Sequence, residues 1–281
     1  MAFTGKGDTV VAEKKGPPGV RIVSVSDPRV PRDPARNTAA IAAAAVLKRA
    51  GNHAGLELVV QKGLPLSGGM GGSAASAVAG ALAANAALDS GFPIEVLLEA
   101  ALDAEAAVAG RHADNVAPSL LGGAVLVSGA PPRLCRIRVH DSFALVLVTP
   151  SYEVLTAAAR AVLPTQVSRA DAVTQAATLA GLVLGLERGE ADLVAASMSD
   201  RIAEPVRAPL YPGYAQARSA ALEAGAVGVT VSGAGPTLVA IVPAGSSGAV
   251  AAAFEDAYKR AGFAAAAHAA RVDEQGARLI K

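Results

Sequence analysis

The chain has 281 residues, a net charge of +1 and a single cysteine, Cys135. A balance so near neutral argues against nucleic acid or an acidic membrane surface as partner, and one cysteine excludes an internal disulfide framework or a cysteine-based zinc cluster. Hydrophobic residues make up 52% but aromatics only 3%, so the core is to be built from Val, Leu and Ile and from helices that approach closely through Ala. No apolar run reaches the roughly 18 residues of a membrane span, and the N-terminal MAFTGKGDTV lacks the apolar centre of a signal peptide. A soluble, cytoplasmic protein is expected, of about two domains at roughly 150 residues each.

Asp8–Lys14 and Val20–Val25 alternate like strands, with turn chemistry at Pro17-Pro18-Gly19. Asp33-Pro34 is a helix start, and Ala35–Arg49 reads as the helix. Leu56–Gln61 is a strand that feeds a glycine-dense loop, and a helix follows from about Ser73 to Asp89. Pro93–Ala109 reads as a third helix. Gly123–Ser128 and Phe143–Thr149 read as buried strands, with Pro131-Pro132 interrupting between them. Beyond Pro150 the pattern is more helical, with Tyr152–Leu163, Ala170–Arg188, Glu190–Ser197 and Gly213–Ala224. Val227–Val231 and Thr237–Val242 are short strands around Ser232–Pro236, and a helix at Gly248–Ala261 precedes a last strand at Ala265–Val272. The class is α+β, divided near Pro150 into domains of 1–150 and 151–281.

The stretch Leu64–Asn85 carries the strongest signal. Gly68, Gly69, Gly71 and Gly72 crowd ahead of Ser73 and an Ala-rich helix. Such a loop aims several backbone N–H groups at one point, at the positive end of a helix dipole. Glycine allows φ > 0 and close approach of a phosphate, so a nucleotide phosphate is the expected ligand. Tight packing of a helix on a sheet is the plain alternative. A Walker-type loop is excluded because no Lys lies in the run. Gly69-x-Gly71-x-x-Ala74 fits a permissive dinucleotide fingerprint, but Asp89 and Glu95 are not at a strand end as that motif requires. A nicotinamide oxidoreductase therefore stays an alternative of low rank.

Four further groups can carry chemistry. Gly110–Asn115 is a polar knot between a helix and a buried strand, in which His112 sits beside Asp114 and Asn115; the other histidines are isolated. Glu105 has Leu102 and Val108 as helical neighbours, so its carboxylate can point inward, where it needs a cation such as magnesium; a solvated helix acid is the commoner case. Ser232–Thr237 holds more glycine than a plain turn between strands requires. Arg207, in the semi-rigid Glu204-Pro-Val-Arg-Ala-Pro, and Arg160 suit a bidentate grip on a carboxylate, although surface arginines are commoner.

Together these residues resemble the GHMP kinase superfamily and, within it, the homoserine kinase family. Pro65-Leu-Ser-Gly-Gly-Met-Gly-Gly-Ser73-Ala-Ala looks like the family's phosphate loop, and Val231-Ser-Gly-Ala-Gly-Pro-Thr237 is similar to its third motif. His112-Ala-Asp-Asn115-Val-Ala-Pro118, Leu121-Gly-Gly123, Glu204-Pro-Val-Arg207 and Val272-Asp-Glu-Gln-Gly-Ala-Arg278 also match. The resemblance implies a ribosomal-S5-like N-terminal domain and a ferredoxin-like C-terminal domain. It implies transfer of the γ-phosphoryl group of Mg-ATP to the hydroxyl of L-homoserine, on the way to threonine, in a cytoplasmic homodimer. ATP would be bound by Asn37, near the adenine, and by Pro65, Gly68, Gly69, Gly71, Gly72, Ser73 and Ala74. Ser73 and Glu105 would hold Mg2+. His112, Thr156, Arg160 and Arg207 would line the amino-acid site, supported by Gly233 and Gly235. Ser73, Glu105, Asn115 and Arg160 would form the catalytic set.

Sister kinases of the superfamily use an aspartate as proton acceptor where this family has Asn, here Asn115. The resemblance thus implies catalysis by positioning and charge stabilisation, with Asp114 a structural loop residue. Two departures stand out. Gly72 replaces the first of two serines, which implies one lost phosphate contact. The family's first motif is absent ahead of Met1, from which a misassigned start or truncated reading frame, a frayed sheet edge and a weakened acceptor site are expected. Another small-molecule GHMP kinase, or a non-catalytic nucleotide-binding relative, remain the alternatives.

Overall fold

Strand alternation in the first third of the chain follows from one face packing on helices. In the computed structural model, which describes residues 1–108, 110–129 and 131–280, β1 (Thr9–Lys14), β2 (Gly19–Val25) and β3 (Gly55–Gln61) form a sheet of order β1-β3-β2. The central strand runs antiparallel to β1 and parallel to β2. Leu56, Leu58 and Val60 of β3 are fully buried, each worth about 1.5–3 kcal/mol relative to exposure. Glu57 points to the other face, where Arg21 of β2 pairs with it at 2.9 Å.

Of four helices, α1 (Thr38–Arg49) and α2 (Gly72–Ala87) cover the buried face, and α3 (Ile94–Val108) and α4 (Ala113–Leu121) pack behind them. The helix expected from Ala35 begins later, because Pro34–Arg36 is a short 3-10 turn and Asn37 caps α1. The expected end of the third helix, Ala109, lies outside the described residues. Alanine dominates the interior, including Ala39, Ala40, Ala42 and Ala43 of α1 and Ala74, Ala77, Ala81 and Ala84 of α2. Gly80 of α2 lies on the backbone of α1, so close that a Cβ there would stand 2.7 Å from Ala39 Cα. This is how so aromatic-poor a chain closes its core.

The polar knot after α3 runs into a helix from Ala113, which corrects the sequence reading. Ala113, Val116, Ala117 and Leu120 of α4 are buried, at the i, i+3, i+4, i+7 spacing of an apolar helix face. Pro118 inside α4 hid that pattern. β4 (Ala124–Ser128) pairs with β5 (Arg133–Ile137), a strand the sequence reading did not anticipate behind Pro131-Pro132.

The second sheet contains β6 (Phe143–Pro150), β7 (Gly228–Val231), β8 (Leu238–Pro243) and β9 (Ala265–Ala270), antiparallel in the order β7-β8-β6-β9. Between β6 and β7 come α5 (Thr156–Ala161), α6 (Arg169–Arg188), α7 (Ala191–Ser197), α8 (Glu204–Arg207) and α9 (Tyr214–Glu223), and α10 (Ser247–Arg260) joins β8 to β9. This βαββαβ arrangement is ferredoxin-like. The helix expected over Tyr152–Leu163 shortens to α5, because the Tyr152 ring packs edge-on against Phe263 at 5.2 Å and its hydroxyl donates to Pro212 O at 3.0 Å.

Two compact units result. One comprises Met1–Leu66, Gly71–Arg136 and the C-terminal residues from Asp273; the other comprises Ser67–Met70 and Ile137–Val272. The division falls after Arg136, not near Pro150, because β6 is hydrogen-bonded on both edges, to β8 and β9. Among the described residues no helix is long and apolar enough to cross a membrane.

Candidate functional site

In the first unit, the β1–β3 register prepares the glycine loop. Thr9 lies opposite Gln61, so the next step along both strands brings Asp8 to Lys62. The two form an ion pair with side chains 0% and 7% exposed. Asp8 Oδ1 accepts from the N–H groups of Gly63 at 3.0 Å and Leu64 at 3.2 Å. Lys62 Nζ donates to Gly72 O at 2.8 Å and Ser76 Oγ at 2.9 Å, and Ser76 donates to Asp8 Oδ2 at 2.6 Å. The start of α2 is thereby tied to the ends of two strands.

Gly71 caps α2 in the left-handed region (φ 69°) and has no side chain to satisfy the helix. The first intrahelical bond runs from Ala75 N to Gly71 O at 2.9 Å. The N–H groups of Gly72, Ser73 and Ala74 come before it and have no intrahelical acceptor. Together with the helix dipole they attract an anion. Asn115 of α4 is exposed and stands over this cap: a Cβ on Gly71 would lie 3.3 Å from its Oδ1. His112 is the exposed N-cap of α4, without a side-chain capping bond, and its ring folds over Gly110. Glu105 is 4% exposed, so it is not the solvated helix acid that is commoner at such a position. Asn37 is buried; its Oδ1 accepts from Ala39 N and Ala40 N, and its Nδ2 donates to Pro31 O. An amide in that arrangement keeps one N–H for a ligand.

In the second unit, Gly68 is buried and Gly69 takes φ 74°. Gly69 is held by the Ser232–Thr237 turn. Ser232 Oγ donates to Gly69 O at 3.0 Å, and a Cβ on Gly69 would lie 2.7 Å from Gly235 O. The turn itself is closed by Ser232 N to Thr237 O at 2.8 Å, with Gly233 and Gly235 both at positive φ. Tyr211, 2% exposed, packs its ring on Gly235 and donates its hydroxyl to Ala234 O at 2.8 Å. Burial pushes the Tyr211 phenol above its usual range, against the opposing charge of Arg207, so it stays a hydroxyl donor.

Arg207 joins this turn to α5. Its Nε donates to Ala159 O at 2.8 Å and its Nη1 to Gly233 O at 3.2 Å. A guanidinium has five N–H donors, so several remain for a planar anion. Thr156 and Arg160 are exposed on α5, the helix Arg207 touches.

The residues singled out from sequence thus fall into two sets. Asn37, Pro65, Gly71, Gly72, Ser73, Ala74, Glu105, His112 and Asn115 belong to the first unit, and Gly68, Gly69, Thr156, Arg160, Arg207, Gly233 and Gly235 to the second. Sequence reasoning missed Asp8, Lys62, Ser76 and Tyr211. Antiparallel pairing of Asp8–Lys14 with Leu56–Gln61 was the available signal for the first two. No pattern in the sequence marks Tyr211.

Comparison with known proteins adds the following. Residues 37–123 match the GHMP kinases N terminal domain, and residues 182–260 match the GHMP kinases C terminal domain. The chain is 41% identical over 279 residues to the homoserine kinase of Xylella fastidiosa (strain M12), spanning 98% of this chain and 86% of that protein. It is 38% identical over 272 residues to the homoserine kinase of Halorubrum lacusprofundi, spanning 96% and 89%. The crystal structure of homoserine kinase from Cytophaga hutchinsonii superposes with TM-score 0.95 at 35% identity, covering 99% of this chain and 90% of that one. The L. major mevalonate kinase in complex with R-mevalonate shares the fold at TM-score 0.73 and 15% identity, covering 98% and 88%.

Proposed function

The chain belongs to the GHMP kinase family, in its homoserine kinase branch, and on that premise we propose that it transfers the γ-phosphoryl group of ATP to the hydroxyl of L-homoserine. The product is O-phospho-L-homoserine, and the step belongs to threonine biosynthesis. The observation that carries the reading is Asn115 standing over Gly71 at the open N-terminus of α2. A helix start that attracts an anion and the residue that replaces an acid in this branch occupy one place.

The phosphates lie on the N–H groups of Gly72, Ser73 and Ala74, whose dipoles stabilise the charge that moves during transfer. The Asn115 amide cannot take up a proton, so it orients the acceptor hydroxyl. This suffices where the transition state is loose and catalysis is mainly positioning and charge stabilisation. Arg207 and Arg160 grip the acceptor's carboxylate, with Thr156 beside Arg160 on α5. A hydroxyl on the first turn of α2 and a buried carboxylate, Ser73 and Glu105, are the hard oxygen donors that suit Mg2+ beside phosphate. Bound there, the ion neutralises phosphate charge. The same reading places the enzyme in the cytoplasm as a homodimer, which sedimentation velocity checks.

The test is a coupled ADP-release assay with Mg-ATP, comparing L-homoserine, L-serine, mevalonate and no acceptor. Turnover is expected with L-homoserine. In Arg207→Ala the KM for L-homoserine should rise about 10- to 100-fold, the value of a lost charge-assisted hydrogen bond. Turnover with mevalonate and none with L-homoserine would overturn the reading.

A further inference from the structure

We propose that Lys62 is a positioning residue for the phosphate-binding glycine loop, working through the carbonyl of Gly72 and kept in place by Asp8; the proposal rests on reading that loop as the ATP site. Three observations carry it. Lys62 and Asp8 are a buried pair, 7% and 0% exposed, and burying two charges is unfavourable unless they are paired and hydrogen-bonded. Both are nearly saturated. Lys62 Nζ reaches Asp8, Gly72 O and Ser76 Oγ, which are the three acceptors an ammonium can use. Asp8 takes the N–H groups of Gly63 and Leu64, which open the loop, and the hydroxyl of Ser76, which lies on α2. The pair therefore fixes both ends of the loop at once: its entry at 63–64 and its exit at 72–76.

Lys62 does not need to touch the nucleotide. Its charge is neutralised by Asp8 at hydrogen-bond range, so it adds little field at the phosphates. Its effect is geometric. Gly72 O and the N–H of Ser73 belong to one planar peptide group, so the bond from Lys62 Nζ sets where the N–H of Ser73, and after it that of Ala74, points. Four glycines crowd the loop, and glycine restricts its backbone least of all residues. The ion pair restrains the part of it that opens α2.

The test separates positioning from plain core stability by comparing Lys62→Met with the double variant Asp8→Asn/Lys62→Met. The single variant leaves a buried carboxylate unpaired and should unfold at lower urea. The double variant removes both charges and should recover most of that loss, while the bond to Gly72 O stays broken. In the folded double variant, hydrogen–deuterium exchange over residues 64–76 should quicken about tenfold, and a higher KM for ATP together with a lower kcat should reduce kcat/KM for ATP at least about tenfold, with the KM for L-homoserine within about twofold. A double variant with wild-type exchange over that segment and wild-type kcat/KM for ATP would overturn the proposal. Should the wild-type chain show no homoserine-dependent turnover, the functional reading fails by itself, and exchange over 64–76 still decides whether the pair positions the loop.

Discussion

At the scale of single residues, Gly72 separates two accounts of the loop. The resemblance implied that glycine here forfeits a phosphate contact. The backbone points elsewhere: a Cβ on Gly72 would lie 3.5 Å from Lys62 Nζ, 3.6 Å from Pro65 O and 3.7 Å from Leu64 Cβ. Those are ordinary contact distances, and the nearest partners for a hydroxyl are the Lys62 ammonium and the Pro65 carbonyl. Gly72→Ser is therefore expected to fold and to raise stability by about 0.5 kcal/mol through the better helix propensity of serine. Urea unfolding measures this, and the KM for ATP should stay within about twofold, as expected when no transition-state or ground-state contact is gained. A large drop in that KM would mean the hydroxyl does reach the phosphates. Asp8 and Lys62, which surround this position, are far apart in sequence and meet only through the β1–β3 register. That is why composition and motif reading passed over them, while Ser73 and the glycines were evident from their crowding.

At the scale of elements, the pairing of α1 with α2 depends on the absence of one carbon. Gly80 faces the Ala39 backbone, and a Cβ would stand 2.7 Å from Ala39 Cα and 2.8 Å from its carbonyl carbon. Backbone cannot rotate away as a side chain can, so the helices must separate. Gly80→Ala should destabilise the protein by about 1–3 kcal/mol despite alanine's higher helix propensity, seen as a lower urea midpoint with unchanged slope. Apolar faces of Ala and Leu make α1 and α3 legible, and α2 is legible as an Ala-rich run that is apolar all round. α4 carries the same periodicity at Ala113, Val116, Ala117 and Leu120, yet Pro118 and the polar run from His112 to Asn115 masked it. α5 is over-read for the opposite reason. Tyr152, Leu155 and Ala159 fit an apolar helix face, but Tyr152 is drawn to Phe263 and Pro212, contacts that no local pattern contains. The candidate site follows the same rule. Its loop was legible where the chain is locally repetitive, and its supports, Tyr211 under the turn and Ala159 O under Arg207, were not, because they are long-range.

At the scale of the molecule, the chain leaves its first unit after Arg136 and returns to it at Asp273, and the return is a docked strap. Gly123 N donates to Asp273 O at 2.7 Å, Ala277 N to Leu120 O at 3.3 Å, and Arg136 to the Glu274 carboxylate at 3.0 Å. Gly276 lies on the Gly122 backbone so closely that neither position has room for a side chain. The strap thus holds the C-terminal end of α4, the helix that carries Asn115. Asp273 shapes the strap: its Oδ1 accepts from Gln275 N at 3.0 Å and Gly276 N at 3.3 Å, and its Oδ2 from Arg278 Nη1 at 3.0 Å. Partial burial pushes its carboxyl up, but these donors outweigh it and hold the group below the ordinary 3.8. The sign follows. Above pH 3.8 the carboxylate is ionised in both folded and unfolded chains and its stabilisation is complete; as pH falls below 3.8 the unfolded chain protonates first, and the stabilisation fades until the folded carboxyl protonates too. Asp273→Asn should therefore cost about 1 kcal/mol at pH 7, with the gap to wild type closing as unfolding is measured at pH values progressively below 4. Asp27 and Asp103, also held low by arginine partners, contribute equally to both proteins and cancel from the difference. A gap that persists unchanged at the acid end would show that the carboxylate's charge does not hold the strap, and that the two glycines and the backbone bonds dock it alone.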